Sequence, residues 1–405
     1  MRTAEKLAGL EGSLWHTDRA PTIVIDLLVR IGFYGNVLYM TRAWFVVVGF
    51  LLVGSPPVIA QDRGPQTRVL GFTDFGYVAG DGTKDDGFRL GQLVAQASSQ
   101  LTPRVAFFTE LTATRTATGI RFGMERVIFR YDFSDALKLS GGKYHLPISY
   151  WNSAFHHGSW LQTTAARPSP IAFSTPLVPV HVEGLLAEGS LPVSDGLLVG
   201  YMLGVVDGRG TALAQKYGLD AGPMGANPAG GIAIAADYHR QAYIATVQLR
   251  PSALRGLQIG GALYTDRPMN GLGQQVDERT SSVHFVLERD SPEIIVEHTW
   301  IQHRETLGGS WTTGTAWYAQ VGQRLRGTLD AFMPYARVEG IDVADDDPLL
   351  GGIQATQDAL VLGVRVDFVS VAALRVEYRR DSMPARDLNR LHVQVSYVFG
   401  GLSGG

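Results

Sequence analysis

The chain of 405 residues contains no cysteine, which excludes disulfides, thiolate metal sites and cysteine nucleophiles. The same absence fits a protein that passes through an oxidising compartment. Charge of one sign is also missing. Lys+Arg 35 stand against Asp+Glu 38, for a formal net charge of -3, so there is no basic excess for a nucleic-acid partner. Beyond residue 60 lysine is reduced to Lys84, Lys138, Lys143 and Lys216. No apolar run reaches the roughly 20 residues of a spanning helix, and no long 3.6-residue periodicity appears. The H-E-x-x-H and G-x-x-x-x-G-K-[ST] motifs are absent, and no catalytic residue is assigned. His156 or His157 with Ser159 is the nearest approach to a base and nucleophile, and it leaves a barrel hydrolase as a remote alternative.

What the chain does have is 48 glycines and 10% aromatic residues, a composition suited to many short strands joined by tight turns. Its one continuously apolar segment is Ala43–Gly54, preceded by Arg42 and followed by Ser55-Pro56-Pro57-Val58-Ile59-Ala60. A basic start, a short apolar stretch and small residues before Gln61 make residues 40–60 a signal peptide cleaved near Ala60. Met40 sits where such a signal begins, so 1–39 reads as an upstream extension from a misplaced start. The exported domain is then 61–399, with 400–405 as a flexible tail.

Strand-type alternation recurs through the remainder. The segments are 68–79, 87–98, 104–115, 120–133, 136–147, 179–190, 195–207, 239–250, 255–266, 280–290, 293–304, 313–324, 328–340, 356–369, 371–381 and 388–399. Most approach the roughly 9–11 residues of a tilted membrane strand, and they number about sixteen. Short links follow the even-numbered strands, such as Ser134-Asp135, Ser291-Pro292 and Ser370. Longer ones mostly follow the odd-numbered strands: 80–86, 148–178, 208–238, 267–279, 305–312, 341–355 and 382–387. This sorting predicts an all-β, transmembrane, antiparallel up-and-down β-barrel in the bacterial outer membrane, with the longer loops outside.

The faces follow from the two-residue period of a strand. In the last segment Leu391, Val393, Val395, Tyr397 and Phe399 share one face, and His392, Gln394 and Ser396 the other. Val127, Phe129 and Tyr131 oppose Arg126, Arg130 and Asp132; Leu374, Val376 and Tyr378 oppose Arg375, Glu377 and Arg379. Neither face of 328–340 is cleanly apolar. Charge facing lipid costs about 2–4 kcal/mol at the midplane, so Arg126, Arg130, Lys138, Arg365, Asp367, Arg375, Glu377 and Arg379 are assigned to the pore lining, with Glu110, Asp132 and Glu183 among them. They either set ion preference through their summed field or neutralise one another in a wet interior. Segment 148–178, the third outer loop, is too apolar to stand in water. Its Trp151, Phe155, His156, His157 and Trp160 are expected to fold inward as a constriction. His145, His156, His157 and His181 gather around it, but their spacing does not favour a metal site, and no cofactor is implied.

Two blocks carry a resemblance. Tyr131-Asp132-Phe133-Ser134-Asp135 followed by Leu137–Pro147 resembles the phosphate-selective porin O/P family. The block from Tyr150 to Thr164 is similar to uncharacterised bacterial porin-like proteins of that kind. The resemblance implies a sixteen-stranded barrel, usually a homotrimer, with the third loop folded inward, passing small hydrophilic solutes or inorganic ions across the lipid bilayer. An outer-membrane barrel used structurally or for adhesion, without an open pore, is the alternative.

Overall fold

Nearly every strand pairs through its backbone with its chain neighbours, and its alternating apolar residues leave one face exposed. The computed structural model describes residues 65–400 apart from 82–85, 117–118, 156–158, 173–174, 209–239, 271–273, 290, 353 and 355. Pro65–Gly405 clusters as one unit and Met1–Gly64 as another. The upstream extension, the signal peptide, His156, His157 and residues 401–405 therefore lie outside the described residues.

The strands are β1 (Gln66–Gly80), β2 (Gly87–Leu90), β3 (Leu93–Thr102), β4 (Val105–Thr116), β5 (Gly119–Ser134), β6 (Leu137–His145), β7 (His181–Ser194), β8 (Leu197–Asp207) and β9 (Gln241–Pro251). They continue as β10 (Leu257–Asp266), β11 (Val276–Leu287), β12 (Glu293–Glu305), β13 (Thr312–Gly322), β14 (Phe332–Asp342), β15 (Gln357–Val369), β16 (Ala372–Met383) and β17 (Arg386–Gly400). Every pairing is antiparallel between chain neighbours, and β17 returns to β1, in register from Leu70↔Gly400 to Gly80↔Arg390. Closure removes the open edges that lipid does not tolerate.

β2 and β3 both pair with β1, so they form one interrupted stave and the barrel has sixteen. Between the pairs Phe75↔Leu90 and Phe72↔Val94, the residues Gly91, Gln92 and Leu93 face only Thr73 and Asp74. This is a bulge. The Gly91 amide donates to the Asp74 carbonyl at 2.8 Å. A Cβ on Gly91 would lie 2.2 Å from the Asp74 carboxyl carbon, so the close approach requires glycine.

All sixteen expected segments become staves, with adjusted ends. The strand expected over 280–290 starts at Val276, and the one expected over 328–340 starts at Phe332 after a 3₁₀ turn at Gly327–Leu329. The longer loop expected at 382–387 shrinks to Pro384 and Ala385, because β16 and β17 pair out to Met383↔Arg386. Gly400 pairs with Leu70 and so belongs to the closing strand, not to the tail.

Phe75, Phe122, Phe129, Leu185, Leu203, Tyr243, Leu263, Leu362 and Phe399 lie on the exposed face. The opposite face is buried, with its own apolar cluster on one side of the barrel and a dense set of charges on the other. No helix among the described residues is long and apolar enough to cross a membrane.

Candidate functional site: the buried face and segment 146–180

The connection from β6 to β7 organises the buried face. It contains a single helical turn, α1 (Tyr150–Ala154), started by Ser149, whose hydroxyl accepts from the Asn152 amide at 3.3 Å. Ser at this position satisfies one of the orphan amides of a helix start. The Asn152 side chain donates to the Leu146 carbonyl at 2.8 Å and to the Val180 carbonyl at 3.3 Å, tying the two ends of the segment together.

The first half of the segment packs by apolar contact. Leu146, Ile148, Tyr150 and Trp151 form a cluster with Val182, Leu186, Val206, Ile244, Tyr264, Val286 and Ile295 from β7 to β12. Trp151 is fully buried, with its ring 4.9 Å from Phe155 and 6.0 Å from Tyr318. Two polar wall groups fix the height of the turn. The Ser282 hydroxyl donates to the Ile148 carbonyl, and Glu297 accepts from the Tyr150 amide at 2.9 Å and from the Tyr318 hydroxyl at 3.3 Å.

The second half is held by charge. Arg365 donates to the carbonyls of Trp160 at 3.0 Å and Gln162 at 2.8 Å. Arg375 donates to the same two residues and to the Thr163 carbonyl at 3.1 Å, with Ser396 at 2.6 Å on its other side. Glu377 answers with the opposite polarity, accepting from the amides of Ala165 at 2.8 Å and Ala166 at 3.3 Å. Arg337 reaches Thr164 at 2.7 Å and the Ala166 carbonyl at 3.0 Å, and Glu339 accepts from the Ser169 amide at 2.9 Å. The five N–H groups of a guanidinium suit it to bridge several carbonyls at once. Hydrogen bonds to charged groups are about twice as strong as neutral ones.

The pore-lining residues expected from the sequence fall into two groups. Arg365, Arg375, Glu377 and Arg379 meet the segment, and Asp367 supports them by accepting from Arg365 at 2.8 Å and Arg324 at 2.6 Å. Arg379 bonds Ser169, Glu339 at 2.9 Å and Asp381 at 2.7 Å. Arg126, Arg130 and Lys138 stand apart on β5 and β6. Arg126 pairs with Glu110 at 2.7 Å, and Arg130 with Asp132 at 2.7 Å and Glu188 at 3.4 Å. Lys138 is buried opposite Asp132 and Glu188 in the sheet register. Glu183 corrects an expectation: it shares the exposed face of Leu185, and Glu188 takes its place on the buried face. Trp151, Phe155 and Trp160 all lie in the docked segment, Trp160 with the Arg365 guanidinium 5.7 Å from its ring.

Arg337, Glu339, Glu293 and Glu297 were not singled out from the sequence. A signal existed: Arg337-x-Glu339 repeats the alternate-position charge pair of Arg365-x-Asp367 and Arg375-x-Glu377. Glu293 accepts from Thr163 at 2.8 Å and from Gln320 at 2.8 Å.

A second cover closes the long-loop end over β11–β14. Leu349 and Leu350 join Leu177, Val276, Ile301 and Ile341 in a smaller apolar cluster. Asp347 anchors it, accepting from His303 at 2.8 Å, Thr312 at 2.9 Å, and the amides of Leu349 at 2.9 Å and Leu350 at 2.8 Å. Burial works against the Asp347 charge, but the His303 ring and the two amides outweigh it and hold the carboxyl down at about 2. His145 and His181 stack edge-on with ring centroids 5.2 Å apart, and His181 lies 2.9 Å from Glu125. Among the described residues no group of three or more His, Asp or Glu is arranged to hold a metal ion.

No protein-family model matches the sequence, and no curated protein matches it. The fold is similar to that of several solved structures. One is an anion-selective porin from Comamonas acidovorans, with TM-score 0.54 at 11% identity, covering 83% of this chain and 100% of that one. Another is OmpT, an outer membrane protein of Vibrio cholerae, folded in vitro and in trimer form, with TM-score 0.54 at 12% identity over 83% and 100%. A third is Salmonella typhi OmpF in complex with daunomycin, with TM-score 0.54 at 11% identity over 83% and 98%. The likeness bears on the fold: a closed, antiparallel barrel of sixteen staves, similar to those of these outer-membrane proteins.

Proposed function

We propose that this chain is an outer-membrane porin, a passive channel for small hydrophilic solutes or inorganic ions, exported by the signal at 40–60. The observation that carries this reading is the division of the sheet. An exposed apolar face meets lipid, and a closed ring of staves encloses Gln96, Gln394, Asp74, Ser396, Glu110 and Arg126 on the other side. In this reading segment 146–180 folds into the lumen and narrows it.

The arginines of β14–β16 are occupied by loop carbonyls and acids, and Arg126 and Arg130 of β5 by Glu110, Asp132 and Glu188. Pairing of this kind leaves little net field in the passage, which supports weak ion preference over phosphate selectivity. Assembly as a homotrimer is part of the same proposal, supported by the trimer form of the Vibrio cholerae protein. Conductance of the purified full chain in planar bilayers tests it. Discrete steps are expected, with a reversal potential near zero in a salt gradient; a protein that inserts and stays silent refutes it.

A specific observation favours a second reading, a barrel that serves structurally with its pore shut. The apolar cluster around Trp151 fills one side of the interior like the core of a soluble domain. Silence in bilayers, with the folded barrel retained, selects this reading.

A further inference from the structure

The exposed face carries a cluster of arginines that the channel reading does not use. At the long-loop end of β11 and β12, Asp277 and Arg304 are a cross-strand pair, and Arg279 is two residues further along β11 on the same face. Asp277 accepts from Arg304 at 2.8 Å and from Arg267 at 2.7 Å. The guanidinium carbons of Arg279 and Arg304 lie over the Trp311 ring, 4.5 Å and 4.7 Å from its centroid. Three cations thus gather around one carboxylate and one indole. Their side chains are open to the surroundings, Arg267 at 42% and Arg304 at 37% exposure.

Position decides what such a cluster meets. Arg279 continues the outward row of Val283 and Phe285, and Trp300, opposite Ser281, lies just below it. With a rise of about 3.4 Å per residue, the arginines start some 7 Å beyond that tryptophan. Tryptophan marks the level of lipid headgroups, so the arginines stand where apolar wall gives way to phosphate. Cation–π attraction to the shared indole gathers the two guanidinium groups at one place, and the N–H groups of a guanidinium suit it to bind phosphate oxygens in pairs.

The geometry points to a binding site for the phosphate headgroup of a membrane lipid, formed by Arg267, Arg279 and Arg304 on the Trp311 and Asp277 platform. A lipid is favoured over a soluble anion because the exposed apolar face directly below accepts its acyl chains. The site is independent of whether the lumen conducts.

The test is native mass spectrometry of the full folded chain released from phosphatidylcholine vesicles containing phosphatidic acid. The wild type is expected to retain phosphatidic acid in preference to phosphatidylcholine. Each arginine removed should cost roughly fivefold, so Arg279→Gln with Arg304→Gln should lower retention about 25-fold. Arg380→Gln, an exposed arginine paired one-to-one with Asp387 at 2.6 Å, should leave retention unchanged. Equal retention in the double variant, or an equal loss in Arg380→Gln, overturns the site. Release of the lipid by inorganic phosphate at matching concentration overturns the lipid assignment in favour of a soluble anion. Retention confined to oligomers overturns it in favour of a contact between copies. Heat-modifiable gel mobility confirms that each variant is folded before it is scored.

Discussion

Replacing Arg375 by methionine removes the guanidinium that holds three carbonyls of the docked segment while keeping an unbranched apolar stem. Arg375 is fully buried and donates to Trp160, Gln162 and Thr163 carbonyls and to the Ser396 hydroxyl. Arg365 also reaches Trp160 and Gln162, so those two carbonyls keep a donor. The Thr163 carbonyl loses its arginine. One buried acceptor left bare costs about 1–3 kcal/mol, and the lost charged bonds about 1.5–3 kcal/mol each, offset by the desolvation that the removed charge no longer suffers. A net weakening of roughly 3 kcal/mol follows, which is about a hundredfold in the opening equilibrium of the segment. The assay is hydrogen exchange on the folded barrel, read at the amides of Ala165 and Ala166, which donate to Glu377. Exchange there should accelerate about a hundredfold while amides of the β7–β8 ladder keep wild-type protection. Unchanged exchange at Ala165 and Ala166 would show that Arg375 does not fasten the segment, and the account of the charged half would fail.

Trp151→Ala empties the centre of the apolar cluster and should destabilise the folded barrel by about 3–5 kcal/mol. A lower temperature for the loss of heat-modifiable mobility would show it, and an unshifted temperature would contradict the cluster's role. Deletion of 148–178 should raise single-channel conductance; equal conductance would remove the segment from the constriction. The long-loop cover should respond to acid. Asp347 has its carboxyl depressed below 3.8, so its contribution is fully present above that value and is lost as pH falls through about 2. Cleavage at Leu349 or Leu350 by an acid protease should therefore rise over that window in the wild type. In Asp347→Asn it should already be high above it, and a pH-independent wild type would refute the anchor.

Where the membrane imposes a binary choice, the sequence was readable. Arg375, Glu377 and Arg379 alternate with Leu374, Val376 and Tyr378, and the strand appears with those faces. β14 was opaque because its outward positions include Pro334, Ala336 and Gly340, which are small or irregular. The reason lies on the neighbouring strand: a Cβ on Gly340 would sit 2.5 Å from the Trp317 indole nitrogen, so that ring already covers the position. A borrowed apolar surface leaves no trace in the strand's own pattern. The charged residues of β15 and β16 were legible as inward-facing, but their partners were not. Any residue at 160 or 162 offers a carbonyl, and nothing in its side chain announces that an arginine more than two hundred positions away will use it. The bulge at Gly91 was missed for a similar reason, since a single extra residue changes the register without changing composition.

The two halves of the docked segment draw on different parts of the chain. Tyr150, Ile148 and Trp151 meet strands up to β13, but the carbonyls of Trp160 and Gln162 wait for arginines 203 to 215 residues further along. Strands up to β13 supply most of the contacts of the first half and almost none of those that hold the second. The same few strands that bring the arginines also bring β17 to β1. Fastening the segment and sealing the seam thus depend on the same strands. A product cut short before β15 would therefore carry an unsealed edge and an unsecured strap at once.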